Sequence, residues 1–140
     1  MPKFPGLSGA DIVRALENCG IIASSETSRI TEQGGKQLNL YNINGSLNVK
    51  TAISLKNNAE FVDVLEKSLT GQISYTTLNK LSVTSQTKFR DILLLRSYIQ
   101  YLKQIQFQFS EDVINDVFAK NPKMISKIVE YFYVKFDPSF

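Results

Sequence analysis

The 13 carboxylates of this 140-residue sequence are candidates for acid–base chemistry. Two acidic sets have helical spacing: Glu111 with Asp112 and Asp116, and Glu60 with Asp63 and Glu66. A catalytic carboxylate pair needs burial that separates the two pKa values. Both sets instead fall at a predicted helix start or along a polar helix face, where solvent and the helix dipole favour the charged form. We interpret them as solvated surface and predict no catalytic residue.

Histidine is absent, and Cys19 is the one cysteine. A Ser-His-Asp triad, a Cys-His pair and a histidine-bound zinc ion are therefore excluded, and so are an internal disulfide and a multi-cysteine metal site. Cys19 stands beside apolar residues near a predicted helix end, which is typical of a small core residue rather than a reactive thiol. We predict no metal site, and the lone cysteine fits a cytoplasmic protein.

A glycine pair and a basic helix are the candidates for a nucleotide site and a nucleic-acid site. Gly6 and Gly9 precede a helix, but no dinucleotide or P-loop fingerprint is present, and Asp11 in the first turn would repel a phosphate. We therefore predict no cofactor-binding residue in this chain. The basic residues Arg90, Arg96 and Lys103 alternate with Tyr98 and Tyr101, and the sequence pI is about 9.0.

These basic residues do not form a stripe, because the first and last are about 140° apart around an α-helix. The two tyrosines belong to an apolar stripe, so nucleic acid is not a predicted partner. No apolar run approaches the roughly 18 residues of a spanning helix, so no membrane contact is expected. Residues 1–71 carry seven basic and seven acidic side chains, whereas residues 72–140 carry nine and six, which places the formal +3 charge in the second half.

The first half alternates helix and strand patterns. Ser8 and Asp11 predict a capping box that opens a helix ending at Gly20. A strand follows from Ile21 to Thr31, and a glycine turn at residues 33–36 leads into a second strand at residues 37–43. In that strand Leu38 and Leu40 share one face, which predicts half burial, and Asn44-Gly45-Ser46 ends it. Asn58 is expected to cap a second helix that stops near Gly71.

The second half has only helical patterns. Thr87 is expected to cap the longest helix, Lys88 to about Ile105, at the centre of a bundle. Two adjoining apolar stripes on it predict burial over a wide arc: Ile92, Leu95, Ile99 and Leu102, then Leu94, Tyr98, Tyr101 and Ile105. Ser110 is expected to cap the next helix, which turns Val113, Ile114, Val117 and Phe118 inward. Asn121-Pro122 separates it from a last helix that contains Ile125, Ile128, Val129, Phe132 and Phe136 and ends at Asp137.

The second half also resembles a known family. The resemblance lies in Leu78-Asn79-Lys80-Leu81, in residues 89–104, and then in Phe107-x-Phe109-Ser110, Asn121-Pro122 and Phe136-Asp137-Pro138. Together these residues resemble the helical segment that precedes the catalytic region of the large bacterial NAD-specific glutamate dehydrogenases. Residues 11–20 look like the first helix of the ACT-type subdomain before that segment. Two departures are visible: residues 1–8 do not look like the strand that opens an ACT-type unit, and Phe140 stands where the catalytic domain would begin.

The resemblance implies an α+β fold, with an incomplete ACT-like unit (helix-strand-strand-helix) in residues 1–71 and an all-α bundle in residues 72–140. It implies a non-catalytic regulatory or scaffolding segment of an enzyme that oxidises glutamate to 2-oxoglutarate with NAD. The catalytic lysine and the NAD domain of the family have no counterparts here, so inactivity of the isolated chain is expected. The expected partner is the remaining dehydrogenase polypeptide or a second copy through an unpaired strand edge in residues 21–43. The alternatives are an amino-acid-binding ACT-like module, or a gene remnant without function.

Overall fold

The computed structural model describes residues 6–47 and 59–139, and these residues form a mixed helix and sheet fold of the α+β class. Along the chain the elements are α1 Gly9–Asn18, β1 Ile21–Gln33, β2 Lys36–Leu47, α2 Ala59–Leu69, a 3-10 helix Thr77–Lys80, α3 Leu81–Thr84, α4 Phe89–Gln104, α5 Glu111–Lys120 and α6 Pro122–Phe136. The expected cap Asn58 lies outside the described residues. The division at residue 71 stays a prediction.

Local sequence sets both ends of α1. The Ser8 hydroxyl accepts a hydrogen bond from the Asp11 amide at 3.3 Å, and the Asp11 carboxylate accepts one from the Ser8 amide at 3.0 Å. This reciprocal pair confirms the predicted capping box. At the other end Gly20 has a φ of +89°, a left-handed conformation that a glycine adopts at little cost. The predicted stop is therefore confirmed as well.

Strands β1 and β2 pair antiparallel along their whole length, from Ile21 opposite Leu47 to Gln33 opposite Lys36. The predicted glycine turn is confirmed, since Gly34 and Gly35 both have positive φ angles. The predicted strand end at Asn44-Gly45-Ser46 is wrong, because β2 continues to Leu47. A Cβ on Gly45 would lie 2.6 Å from the Ile21 side chain, so this glycine permits close strand approach and does not end the strand.

The ribbon made by β1 and β2 is more exposed than its pattern suggests. Leu40 is exposed, so its predicted half burial is wrong, and the side chain of Leu38 lies outside the described part of the structure. One long-range hydrogen bond connects the ribbon to the chain before α1: the Tyr41 hydroxyl donates to the Leu7 carbonyl at 3.2 Å. Alternation reports which residues share a face, but an elongated ribbon can present both faces to solvent.

A single apolar cluster joins the helices. Its buried members come from helices α2 to α6, the 3-10 helix and two connections: Cys19, Val64, Ile73, Leu78, Leu81, Val83, Ile92, Leu95, Ile99, Ile114 and Ile125. The predicted central position of Leu95 and Ile99 is confirmed, and Leu102 packs against the cluster while partly buried. Cys19 is confirmed as a core residue. Residues on both sides of position 71 contribute to this core.

Helix α4 is covered over a narrower arc than predicted. Tyr101 and Ile105, at the end of the second stripe, are exposed. The described helices α2, α5 and α6 contact α4, and this leaves the end of that stripe uncovered. The predicted cap Thr87 is also wrong: Lys88 occupies the cap position, and the Thr87 hydroxyl lies 2.7 Å from the Ser85 hydroxyl instead.

The last two helices begin where the sequence predicts. The Ser110 hydroxyl accepts a hydrogen bond from the Val113 amide, and α6 starts at Pro122, where a missing amide hydrogen costs nothing. Val113 and Val117 are exposed, so their inward orientation was predicted wrongly. Phe136 is exposed too, because α6 buries only its inner face and that residue lies in its last turn.

The packing predicts a large cost for removing Leu95. Leu95→Ala should lower the free energy of unfolding by about 2–5 kcal/mol, because it empties space in a closed core. Tyr101→Ala, on the exposed part of the same helix, should change it by no more than about 0.5 kcal/mol. Urea unfolding followed by circular dichroism measures both values. A loss below about 1 kcal/mol for Leu95→Ala would place the centre of the core elsewhere.

Candidate functional site

The acidic sets singled out in the sequence remain on the surface. Asp63 forms an ion pair with Lys67 at 3.5 Å, and Glu111 pairs with Lys103 at 2.9 Å. Asp112 and Glu66 are exposed. Across residues 6–47 and 59–139, no three acidic or cysteine side chains gather closely enough to hold a metal ion. The structure thus assigns the acidic residues to the surface, as the sequence indicated.

The helix start at Gly9 is already occupied by carboxylates of the chain itself. Hydrogen bonds from the Ser8 side chain and amide lower the pKa of Asp11, which keeps this carboxylate charged at the helix N-terminus. The Glu26 carboxylate lies against Gly9 in the space that a Cβ there would take. Two negative groups oppose a phosphate at this end of α1, since both would repel it.

The three basic residues of α4 each contact a different group. The Arg90 guanidinium lies 5.7 Å from the centre of the Tyr133 ring, and Lys103 pairs with Glu111. Arg96 turns toward the chain that follows α2. These cations do not form a common surface, so the structure brings together no phosphate-binding stripe.

Arg96 is the centre of a polar cluster that the sequence analysis missed. Its Nη2 atom donates to the Ser74 carbonyl at 2.8 Å, to the Thr76 hydroxyl at 3.0 Å and to the Asn79 Oδ1 atom at 2.9 Å. Its Nε atom is buried and has no hydrogen-bond partner among the described residues. Burial lowers the pKa of Arg96, and the negative charge of Glu111 opposes that effect.

Asn79 extends this cluster into the core. It is fully buried, and its Nδ2 atom donates to the Ser68 hydroxyl at 3.3 Å. The backbone carbonyl of Asn79 accepts a hydrogen bond from the buried Ser82 hydroxyl at 2.7 Å. The sequence did contain a signal for this cluster, because Asn79 stands next to Leu78 and close to Leu81. If the two leucines are buried, the asparagine between them needs hydrogen-bond partners. The cluster fixes backbone geometry and offers no reactive group to solvent.

A cleft of about 360 Å³ lies where α1 meets β1, beside the 3-10 helix. It is lined by Glu17, Cys19, Gly20, Ile21, Ile22, Lys80 and Thr84. Glu17 and Lys80 bring opposite charges to it, and neither belongs to an ion pair among the described residues. Opposite charges at the rim of a partly apolar cleft suit a small zwitterion.

The described part of the helical half exposes several large apolar side chains, and two groups of them contain aromatic rings. On α6, Tyr131, Val134 and Phe136 each expose between 60% and 64% of their surface. Between α4 and α5, Phe107 and Phe109 are half exposed, and their ring centres lie 5.5 Å apart. No described helix has the length and apolar content needed to cross a membrane. Exposed aromatic groups of this kind are typical of surfaces that pack against protein.

The hydrogen bonds of Arg96 predict a measurable loss on substitution. Arg96→Met should lower the free energy of unfolding by about 1.5–3 kcal/mol, because Ser74, Thr76 and Asn79 lose a charged donor. Lys123→Met, an exposed cation on α6, should change it by no more than about 0.5 kcal/mol. Thermal and urea unfolding of both variants measure the difference. Equal stability of the two variants would contradict the structural role of Arg96.

Cys19 predicts a pH dependence of stability. Burial raises the pKa of this thiol to about 11 from its ordinary 9.0, while a hydrogen bond with Ser82 partly opposes the shift. The unfolded chain therefore loses this proton first, so the free energy of unfolding should fall as the pH rises from about 9 to 11. Cys19→Ala should show a shallower fall over that range in parallel urea titrations. Identical slopes for the two proteins would contradict the shifted pKa.

Comparison with known proteins shows what these helices are similar to. The family described as glutamate dehydrogenase, helical motif 3, matches residues 76–138, which run from just before the 3-10 helix to just beyond α6. The NAD-specific glutamate dehydrogenase of Halomonas elongata is 23% identical over 131 residues, and that of Pseudomonas aeruginosa is 24% identical over 132. Each alignment covers 93% of this chain and 8% of the relative.

A third relative supports the same relationship over a shorter stretch. The NAD-specific glutamate dehydrogenase of Mycobacterium tuberculosis is 28% identical over 68 residues, which cover 49% of this chain and 4% of that protein. No solved structure matches the chain. The chain spans less than a tenth of the length of these curated relatives. Residues 76–138 are thus similar to glutamate dehydrogenase helical motif 3, and most of the chain is similar to one segment of the large NAD-specific glutamate dehydrogenases.

Proposed function

We propose that this chain is a non-catalytic scaffolding segment of a large NAD-specific glutamate dehydrogenase. The whole enzyme would oxidise glutamate to 2-oxoglutarate and ammonia with NAD. The supporting observation is the outer face of α6, where Tyr131, Val134 and Phe136 are exposed. Burying a large apolar side chain is worth about 1.5–3 kcal/mol, so a partner surface that covers this face gains considerable free energy. The proposed partner is the remaining dehydrogenase polypeptide.

The first half of the chain fits a partial ACT-like unit. Among the described residues, α1, β1, β2 and α2 follow one another in the order that the resemblance implies for such a unit. The end of α1 contributes Cys19 to the same core as α4 and α6. We infer that this unit and the bundle act together, and that the segment holds the ACT-type region and the catalytic region of the enzyme in a fixed relation.

A graft into a relative tests the scaffolding role. In the Pseudomonas aeruginosa enzyme, the aligned segment is replaced by this chain, and NADH formation from glutamate is compared with that of a deletion of the segment. The graft should retain activity that the deletion loses. A second graft carries Tyr131→Ser and Val134→Ser, and it should lose at least about tenfold in assembled, active enzyme because the docking face is removed. A third carries Lys123→Met as a matched control and should behave as the first.

Two outcomes would contradict the proposal. In the first, the deletion and the graft are equally active, so that the segment has no scaffolding role. In the second, the purified chain alone forms NADH from glutamate and NAD, with host enzyme removed, which would make it catalytic. Circular dichroism of each graft distinguishes a misfolded protein from one that lacks only the contact.

The cleft at the start of β1 favours a second candidate function, an amino-acid-binding module. Lys80 would face the carboxylate of the amino acid, and Glu17 with the carbonyl end of α1 would face its ammonium group. An amino acid that binds only the folded state must raise the melting temperature. Titration of the chain with each of the common amino acids, repeated on Lys80→Met, tests this. No shift with any of them would remove this candidate and leave the scaffolding proposal unaffected.

A further inference from the structure

The cleft beside the 3-10 helix has walls from two separate parts of the chain. The end of α1 and the start of β1 form one wall, and the 3-10 helix and α3 form the other through Lys80 and Thr84. The volume of about 360 Å³ lies at the lower end of the range for ligand pockets. Since a cavity of about 150 Å³ already holds benzene, a ligand of about ten non-hydrogen atoms suits this cleft.

Several polar groups at the cleft already have partners within the chain. The Gly20 amide donates to the Glu17 carbonyl at 2.9 Å, and the Thr84 hydroxyl donates to the Lys80 carbonyl at 3.1 Å. The Glu17 carboxylate and the Lys80 ammonium group have no hydrogen-bond or ion-pair partner among the residues that the structure describes. These two charges are therefore the groups with which the cleft can orient a ligand.

The stem of Lys80 runs close to the end of α1. A Cβ built on Gly20 would lie 3.5 Å from the Cγ atom of Lys80 and 3.8 Å from its Cδ atom, which are ordinary contact distances. Lys80 thus brings a positive charge from the 3-10 helix to the wall that carries the negative charge of Glu17. Opposite charges stand on opposite sides of one small cleft.

The same two charges decide which ligand side chain is acceptable. An α-amino acid uses its carboxylate with Lys80 and its ammonium group with Glu17, and the lining contains no further charged side chain. A ligand with an acidic side chain would bring a second carboxylate near Glu17, and one with a basic side chain would bring a second cation near Lys80. The rest of the lining includes apolar surface from Ile21 and the half-exposed Ile22. An aliphatic side chain covers this surface and leaves no charge unpaired.

We propose that this cleft binds small amino acids with an aliphatic side chain, and that the bound amino acid bridges the end of α1 and the 3-10 helix. The proposal rests on the amino-acid-binding function of the cleft, and it adds the ligand class and the consequence of binding. Helix α1 and the 3-10 helix already contact each other. A ligand that touches both walls stabilises that contact, because it binds only when the walls are in place.

Isothermal titration calorimetry of the full chain tests the ligand class. L-Leucine and L-valine should bind, and L-glutamate and L-arginine should bind at least about tenfold more weakly because each leaves a charge unpaired. Isocaproate and isoamylamine, which resemble leucine without its ammonium group or its carboxylate, should be weaker than leucine by a similar factor. Glutamate that binds as tightly as leucine would overturn this proposal and leave an amino-acid-binding function standing. No binding by any amino acid would remove both.

A substitution at Ile22 tests where the ligand side chain lies. Ile22→Lys adds a cation to the apolar wall, so glutamate should then bind more tightly than leucine. Ile30→Lys is the matched control, because Ile30 is exposed on the same strand and lies outside the cleft lining, and it should leave the preference for leucine unchanged. Circular dichroism shows whether each variant is folded. A folded Ile22→Lys variant that still prefers leucine would overturn the proposal.

Hydrogen exchange tests the bridging. At a leucine concentration of about one hundred times its dissociation constant, amide exchange should slow at least about tenfold in residues 17–22 and in residues 77–84. Exchange in α6, which does not line the cleft, should change much less. Slower exchange confined to one of the two ranges would show that the ligand holds only one wall, and this result would overturn the proposal.

Discussion

The backbone of residues 77–84 runs through the apolar core, and burial there requires a hydrogen-bond partner for each polar group. Asn79 and Ser82 supply partners from within the segment, and Arg96 supplies one from α4. The Nη2 atom of the guanidinium lies within hydrogen-bond distance of three acceptors, which belong to Ser74, Thr76 and Asn79. Without these bonds the fully buried Asn79 would bring an unsatisfied side-chain oxygen and an unsatisfied backbone carbonyl into the core.

The position of this segment decides what the helices cover. Its 3-10 helix contacts α1 and α5, and its α3 contacts α2, so apolar side chains from several helices converge on it. The outer face of α6 and the turn at residues 105–110 lie away from that centre and stay exposed. The charged groups singled out on α4 meanwhile contact groups of the chain itself. The surface thus offers apolar contacts rather than reactive groups, and this is the character of a protein that packs against protein.

The similarity to the NAD-specific glutamate dehydrogenases gives these surfaces a context. The matched motif covers residues 76–138, which include Arg96, the turn at residues 105–110 and α6. The relatives are more than ten times longer than the stretch they share with this chain. A segment of that size within a long polypeptide has neighbours on several sides, and exposed aromatic groups are where neighbours would be found.

Local patterns in the sequence determined the elements and several of their ends. Ser8, Gly20, Ser110 and Pro122 act through bonds or backbone angles within a few residues, so their effects could be predicted without the fold. Tertiary structure alone decided which apolar faces are covered. Periodicity shows that Tyr101 shares a stripe with Tyr98, but not that the neighbouring helices stop short of it. The Arg96 cluster likewise joins residues 17 to 22 positions apart, a distance over which no local pattern operates.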